Sequence, residues 1–158
     1  MKIKSYPKLI LSIILIEMTG SLGTIATIPA IPGWYASLVK PFFSPPSWVF
    51  GPVWISLFFL MGFALYLVWQ EGFIKRPGKN AVYVFIIQMI LNVLWSFLFF
   101  GLQNPLSGLI EIVILWVAIL ITILKFYKVS RLAAYMLIPY ICWVTIATIL
   151  NLGVWLLN

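Results

Sequence analysis

The sequence predicts an all-α membrane protein: one domain over residues 1–158, built as a bundle of five transmembrane helices. Three observations lead there. The 158 residues are 64% hydrophobic and only 8% charged, against about 25% charged in soluble domains. Mean hydropathy is +1.14. A chain this short cannot bury so much apolar surface in water, because its surface-to-volume ratio is too high. Third, the apolar residues fall into five runs, 7–29, 48–70, 80–101, 105–126 and 131–156, each near the ~20 residues a spanning helix needs.

The first run follows Lys2, Lys4 and Lys8, as a signal peptide would. It is longer than a usual signal core and carries Glu17 at mid-depth, so it is expected to stay as helix one. Gly20-x-x-Gly23-x-x-Ala26 gives it a small-residue strip. Such a strip allows close helix contact within a bundle or across a dimer, and spacing does not choose. Residues 30–47 are expected to form a capping loop. The stretch 32–54 holds five prolines, Lys40, Trp34, Tyr35, Trp48 and Trp54, a stiff aromatic composition that a plain connector does not need. In the second run Trp48 and Trp69 lie 21 residues apart, about 31 Å along a helix, which matches an aromatic belt at both interfaces. Trp155 suits the same belt. The third run follows Pro77-Gly78, and the fourth begins at Pro105, a favoured first helical residue. The short links 71–79, 102–104 and 127–130 make successive helices antiparallel.

Charge sets the orientation. Five spans place Lys2, Lys4, Lys8, Lys75, Arg76, Lys79, Lys125, Lys128 and Arg131 on one side and Lys40 alone on the other. By the positive-inside rule the N-terminus is cytoplasmic, and the 30–47 loop and C-terminus face outward.

Several function classes lack their residues. The basic residues lie between apolar runs and form no patch for nucleic acid. Cys142 is the single cysteine and there is no histidine, so there is no disulfide framework, no metal pair and no ordinary neutral-pH base. No nucleotide loop or catalytic triad is present, and no cofactor is expected.

Helical periodicity then sorts the unusual residues onto faces. Gln88, Asn92, Trp95, Ser96 and Phe99 share one face of helix three, and Tyr140, Trp143, Ala147, Asn151 and Trp155 one broad face of helix five. Phe50, Trp54, Phe58, Met61 and Leu65 line helix two; Ser107, Gly108, Glu111, Ala118 and Thr122 line helix four. Trp116 lies away from Glu111, toward lipid or an interface. Polar groups are costly in hydrocarbon, so these faces should point inward. Trp54, Trp95 and Trp143 are too deep for a belt; they are either core packing or ligand contacts. The polar and aromatic positions cluster in the outer half, where an aromatic cavity with a few polar groups suits a flat hydrophobic ligand. Glu17, on a face with Gly20, Ser21 and Thr24, and Glu111 are intramembrane acids, each open to a functional or a hydrogen-bonded structural role.

The motifs Trp34-Tyr35-x-x-Leu38-x-Lys40-Pro41, Pro45-Pro46-x-Trp48 and Gly51-Pro52-Val53-Trp54 resemble those of the translocator protein family, also called tryptophan-rich sensory proteins or peripheral benzodiazepine receptors. So do Gln88-x-x-x-Asn92 with Trp95, the acid at Glu111, Pro139-Tyr140-x-x-Trp143 and Ala147-Thr148-x-x-Asn151-x-x-x-Trp155. The resemblance covers almost the whole chain. It implies a five-helix bundle, commonly a homodimer, that binds protoporphyrin IX and benzodiazepine-type ligands under the first long loop. It implies ligand contacts at Trp34, Tyr35, Asn92, Trp95 and Trp143, to which the face analysis adds Trp54, Glu111, Tyr140, Ala147 and Asn151. Some bacterial members break down protoporphyrin in light, and the tryptophans implicated match Trp54 and Trp143. Members that bind cholesterol carry a Tyr and an Arg where this chain has Leu152 and Leu156, so sterol transport is not expected. The one-sided charge suits a prokaryotic cytoplasmic membrane.

Three functions therefore compete: a porphyrin-binding sensor or translocator, a light-dependent porphyrin-degrading enzyme, and a proton-coupled transporter using Glu17 or Glu111. The partners expected are a porphyrin or other flat hydrophobic ligand, the lipid bilayer and a second copy of the chain.

Overall fold

The computed structural model describes residues 3–72 and 77–158. Lys2, Lys75 and Arg76, counted above on the basic side, lie outside the described residues. The chain folds into helices α1 (Tyr6–Ser21), α2 (Thr24–Ala30), α3 (Phe50–Gln70), α4 (Gly78–Ser96), α5 (Pro105–Tyr127), α6 (Arg131–Met136) and α7 (Ile138–Leu157). Short turns extend them into spans. A 3-10 turn leads into α3, giving Ser47–Gln70, and a π-helical turn lengthens α4 to Gly78–Gly101. With Pro105–Tyr127 and Arg131–Leu157 these make, among the described residues, four helices long and apolar enough to cross a membrane. Tyr6–Ser21 and Thr24–Tyr35 pass the same test only together, as a pair bent by 41°.

The first span departs from expectation. It was expected to end at residue 29 and give way to a capping loop over 30–47. Instead α2 passes through a π-helical turn, Ile31–Tyr35, and helical backbone continues to Ser37. Trp34 and Tyr35 thus sit on a helix end, and the irregular segment shrinks to 38–46. The span breaks at residues 22–23, where the Leu22 and Gly23 N–H groups reach the Thr19 and Gly20 carbonyls, each at 3.2 Å. The last span also breaks, at Leu137, two residues before Pro139. A proline cannot donate the helical hydrogen bond and crowds the carbonyl four residues back.

Packing explains the order of the elements. α1 lies against α3, α4 against α5, and α5 against α7, while α6 packs on α3 and α5. The small-residue strip of helix one is used inside the bundle. A side chain at Gly20 would overlap the Phe58 ring of α3, and one at Gly23 would come 2.7 Å from Ser96 Oγ of α4. The termini lie at opposite ends. Lys4 and Ser5 donate their backbone N–H groups to the Tyr66 hydroxyl at 2.9 and 3.2 Å, near the end of α3 that carries Glu71. Asn158 reaches Val39 at the other end. We call these the basic end and the loop end.

The core runs the length of the bundle, with Leu57, Met61, Ala64, Phe85, Ile112, Ile119, Phe126 and Val144 buried. Outward faces carry exposed Ile10, Ile14, Ile25, Ile86, Ile90, Val113, Ile114 and Ile121. Apolar side chains on the outside of an apolar-cored bundle mark lipid as the solvent.

Candidate functional site

The aromatic residues expected to contact a ligand fall in two groups. In the first, the end of the helix-one span meets the end of α4. Trp34 stands edge-on to Phe99 with centroids 5.4 Å apart, Tyr35 lies 5.5 Å from Phe100, and Trp95 stacks on Phe99 at 5.2 Å. The second joins α3 to α7. Trp54 stacks on Phe58 at 5.4 Å and meets Tyr140 edge-on at 6.2 Å, while Trp143 meets Phe50 at 5.7 Å. Offset and edge-on ring contacts each add about 0.5–1.5 kcal/mol beyond area burial.

Two side-chain hydrogen bonds tie these groups together. Asn92 Nδ2 donates to the Tyr140 hydroxyl at 2.9 Å, and both residues are buried. Trp95 Nε1 donates to Asn151 Oδ1 at 3.2 Å, and Asn151 Nδ2 donates to the Pro105 carbonyl at 2.7 Å. Asn151 thereby links α4, α5 and α7 at one point. Ala147 is buried on the same helix as Tyr140 and Asn151.

The polar face of helix four is where periodicity placed it: Gly108, Glu111, Ala118 and Thr122 are buried. Thr122 is satisfied locally, its hydroxyl donating to the Ala118 carbonyl at 2.8 Å. Glu111 is not. Neither of its carboxylate oxygens, nor Gln88 Oε1 and Nε2, nor Trp143 Nε1 has a hydrogen-bond partner among the described residues, although all these atoms are buried. Glu17 differs: it is half-buried, and Ser21 and Thr24 on its face are exposed. The two intramembrane acids thus occupy unlike surroundings.

The segment 38–46 is fastened down. Val39 donates its N–H to Asn158 Oδ1 and accepts from Asn158 Nδ2, both at 3.0 Å. Pro41 is buried, with its ring against Gly153 where a side chain would overlap it. Lys40 lays its ammonium over the Tyr35 ring, 4.7 Å from the centroid, and donates to the Leu38 carbonyl at 3.2 Å. Beside this clasp a cleft of about 380 Å³ opens at the loop end, lined by Trp34, Leu38, Gln103, Asn104, Pro105, Leu106, Trp155 and Asn158. A groove of about 200 Å³ opens sideways between α5 and α7, where Trp116 Nε1 donates to Thr145 Oγ1 at 2.9 Å.

Of the predicted contacts, Trp54 reaches Asn92 through Tyr140, and Trp95 meets Asn151 directly. Trp34 and Tyr35 join them through Phe99. Trp34 alone also lines the open cleft. Phe100 was missed, although it continues the i, i+4 series of Gln88, Asn92 and Ser96. The π turn shifts the register there: the Leu102 N–H reaches back five residues to the Phe97 carbonyl at 2.8 Å, and wider turns re-aim side chains.

Known proteins resemble this chain along most of its length. A model of the TspO/MBR family matches residues 12–156. The tryptophan-rich protein TspO of Archaeoglobus fulgidus is 44% identical over 151 residues, covering 96% of this chain and 97% of that one. The human translocator protein is 40% identical over 77% of this chain and 73% of its own length. The tryptophan-rich sensory protein of Cereibacter sphaeroides is 35% identical over 79% of this chain and 77% of its own.

Proposed function

The chain belongs to the TspO/MBR family of membrane proteins, and from that premise we propose that it is a receptor or translocator for porphyrins and benzodiazepine-type ligands. Its relatives carry the names translocator protein and tryptophan-rich sensory protein. One observation carries the reading. Rings of α3 and α7 pack together, Trp54 on Tyr140 and Trp143 on Phe50, and α4 is tied to α7 by the Asn92–Tyr140 and Trp95–Asn151 hydrogen bonds. Large ring faces with few, well-placed polar groups suit a flat hydrophobic ligand. The rings now pack on one another, so a ligand enters by exchanging ring–ring contacts for ring–ligand contacts. In this reading the basic end is cytoplasmic and the loop end faces outward, as the positive-inside rule favours for a prokaryotic cytoplasmic membrane.

The test is a titration of the purified protein with protoporphyrin IX in the dark, following tryptophan quenching. Saturable binding is expected, weakened about tenfold or more in Trp143→Phe and Asn92→Ala, the loss of one well-made contact. Binding that is absent, or equal in all three proteins, sinks the reading.

A second reading, light-dependent degradation of the bound porphyrin, is favoured by Trp54 and Trp143 standing at the same α3–α7 interface. It expects Trp54→Phe and Trp143→Phe to lose product under illumination more than they lose binding. Equal losses of product and binding count against it.

A further inference from the structure

Two hollows open on one side of the seam between α5 and α7. The cleft of about 380 Å³ at the loop end takes Pro105 and Leu106 from the start of α5 and Trp155 from the end of α7, with Trp34 and Gln103 beside them. The groove of about 200 Å³ takes Val113 and Trp116 from α5 and Thr145 and Thr148 from α7. Val113 follows Leu106 by seven residues, and Thr148 precedes Trp155 by seven. Seven residues are two turns, so each pair shares a helix face, and the groove lies about 10 Å below the cleft. Ile110 and Leu152, which fall between the two hollows on those faces, are exposed.

The hollows offer different chemistry. In the groove the Trp116 indole donates to Thr145, and the Thr145 and Thr148 hydroxyls donate to the Ile141 and Val144 carbonyls, each at 2.8 Å. Its polar groups are met internally, which leaves apolar contact for an occupant. In the cleft, hydrogen-bonding capacity is left over. Asn104 Oδ1 accepts from the Ser107 N–H at 3.0 Å, and its two amide donors remain. Gln103 makes no side-chain hydrogen bond among the described residues. It is also the one non-glycine among them with positive φ, at 52°. Glycine adopts that conformation without steric cost, yet the chain holds a carboxamide there. Among the described residues no charged side chain lines the cleft, and Lys40 is engaged by the Tyr35 ring and the Leu38 carbonyl.

We propose that this seam holds one membrane lipid, with an acyl chain in the groove and a neutral, hydroxyl-rich headgroup such as a hexose in the cleft. An apolar hollow within the span and a polar one at its end follow the order of a lipid. Sugar hydroxyls donate and accept, as carboxamides do, and the Trp34 and Trp155 rings offer electron-rich faces to sugar C–H groups. A phosphate headgroup would meet no counter-charge there. An apolar helix from a second copy of the chain would cover the carboxamides without pairing them, which is costly. The inference does not rest on the porphyrin reading.

The experiment is native mass spectrometry of the full chain, released from a polyether detergent, with lipids counted per chain. Three probes carry the same acyl chains: monoglucosyl diacylglycerol, diacylglycerol and phosphatidylglycerol. The glucolipid should bind at least about tenfold more tightly than either of the others, the worth of two neutral hydrogen bonds. Gln103→Gly should cut that preference about threefold or more, while the melting temperature hardly moves, because glycine relieves the backbone. Val113→Phe fills the groove and should weaken all three lipids alike. Equal binding of the three lipids to the wild type overturns the proposal, as does a preference that survives Gln103→Gly. A dimer that takes up no lipid puts a second chain on the seam and overturns it too. Methyl glucoside bound as tightly as the glucolipid would make the cleft a site for free sugar and end the lipid reading. If Gln103→Gly fails to fold, Trp155→Leu, which removes one ring face, decides the matter by the same loss of preference.

Discussion

At the basic end of the bundle Phe85 stacks on Phe126 at 5.4 Å, and Met61, Ala64, Val68, Ala81 and Phe126 are wholly buried. The Tyr66 hydroxyl there accepts two backbone N–H groups. At the loop end the same kinds of residue are arranged otherwise. The first span breaks at residues 22–23, and π turns close both that span and α4. Buried amides bridge three helices, and Glu111 keeps unmet hydrogen-bonding capacity, as Gln88 and Trp143 do at mid-depth. An apolar interface satisfies itself by packing alone. Irregular helix turns and unpartnered polar atoms are stored cost, and such cost collects where a protein binds something. On the proposed function, the difference teaches that one end holds the bundle together and the other is completed by a ligand.

The sharpest way to break this division is Phe126→Ala. Removing a fully buried ring from the basic end should lower unfolding stability by about 3–5 kcal/mol, read as a lower melting temperature in detergent. Ligand affinity of the folded fraction should stay put. A loss of protoporphyrin binding matching that of Asn92→Ala would show that the two ends are not separable.

Tyr140→Phe probes the other end at intermediate cost. The ring stays to pack against Trp54, but the Asn92 amide loses its acceptor. Interhelical hydrogen bonds in membranes are worth about 0.6–2 kcal/mol, so stability should fall by that amount. Affinity should fall more than it does in Phe126→Ala, although stability falls less. The reverse ranking would make Asn92 and Tyr140 structural.

Much of this division was legible in the sequence. The runs 48–70, 105–126 and 131–156 differ from the observed spans by a residue at an end, because long apolar segments leave little choice of where helix begins. Spacing of three and four correctly buried Gln88, Asn92, Glu111, Tyr140 and Asn151. The first span resisted. Residues 30–47 read as a loop, yet the π turn rearranges the hydrogen-bond ladder that Pro32 would otherwise break, and the helix runs on to Trp34 and Tyr35. Partners across helices were also hidden. Periodicity says which way a side chain faces, not which residue of the next helix stands at the same depth. That Asn92 finds Tyr140 while Gln88, one turn away, finds nothing depends on the relative height of α4, α5 and α7, which no single-helix pattern carries.

The smallest expected effect tests how the loop end is closed. Asn158 offers Val39 a carboxamide that donates and accepts as a neighbouring strand would, and the same Nδ2 also reaches the Val154 carbonyl at 2.8 Å. The clasp is exposed, so each bond competes with water and contributes little to stability. Its effect should be on motion. The segment it holds lies over the Pro41–Gly153 contact and beside the cleft that Trp34 and Trp155 flank. With Asn158→Ala the segment should lift more often while its resting contacts remain. The melting temperature should hardly move. The dissociation rate of a bound ligand, followed by stopped-flow tryptophan fluorescence, should rise about two- to fivefold, the equivalent of one or two weak hydrogen bonds. Association should rise by a comparable factor, because a looser cover admits ligand as readily as it releases it, and equilibrium affinity should then stay nearly level. A change in affinity without a change in both rates would mean that Asn158 shapes the site itself and does not merely fasten its cover.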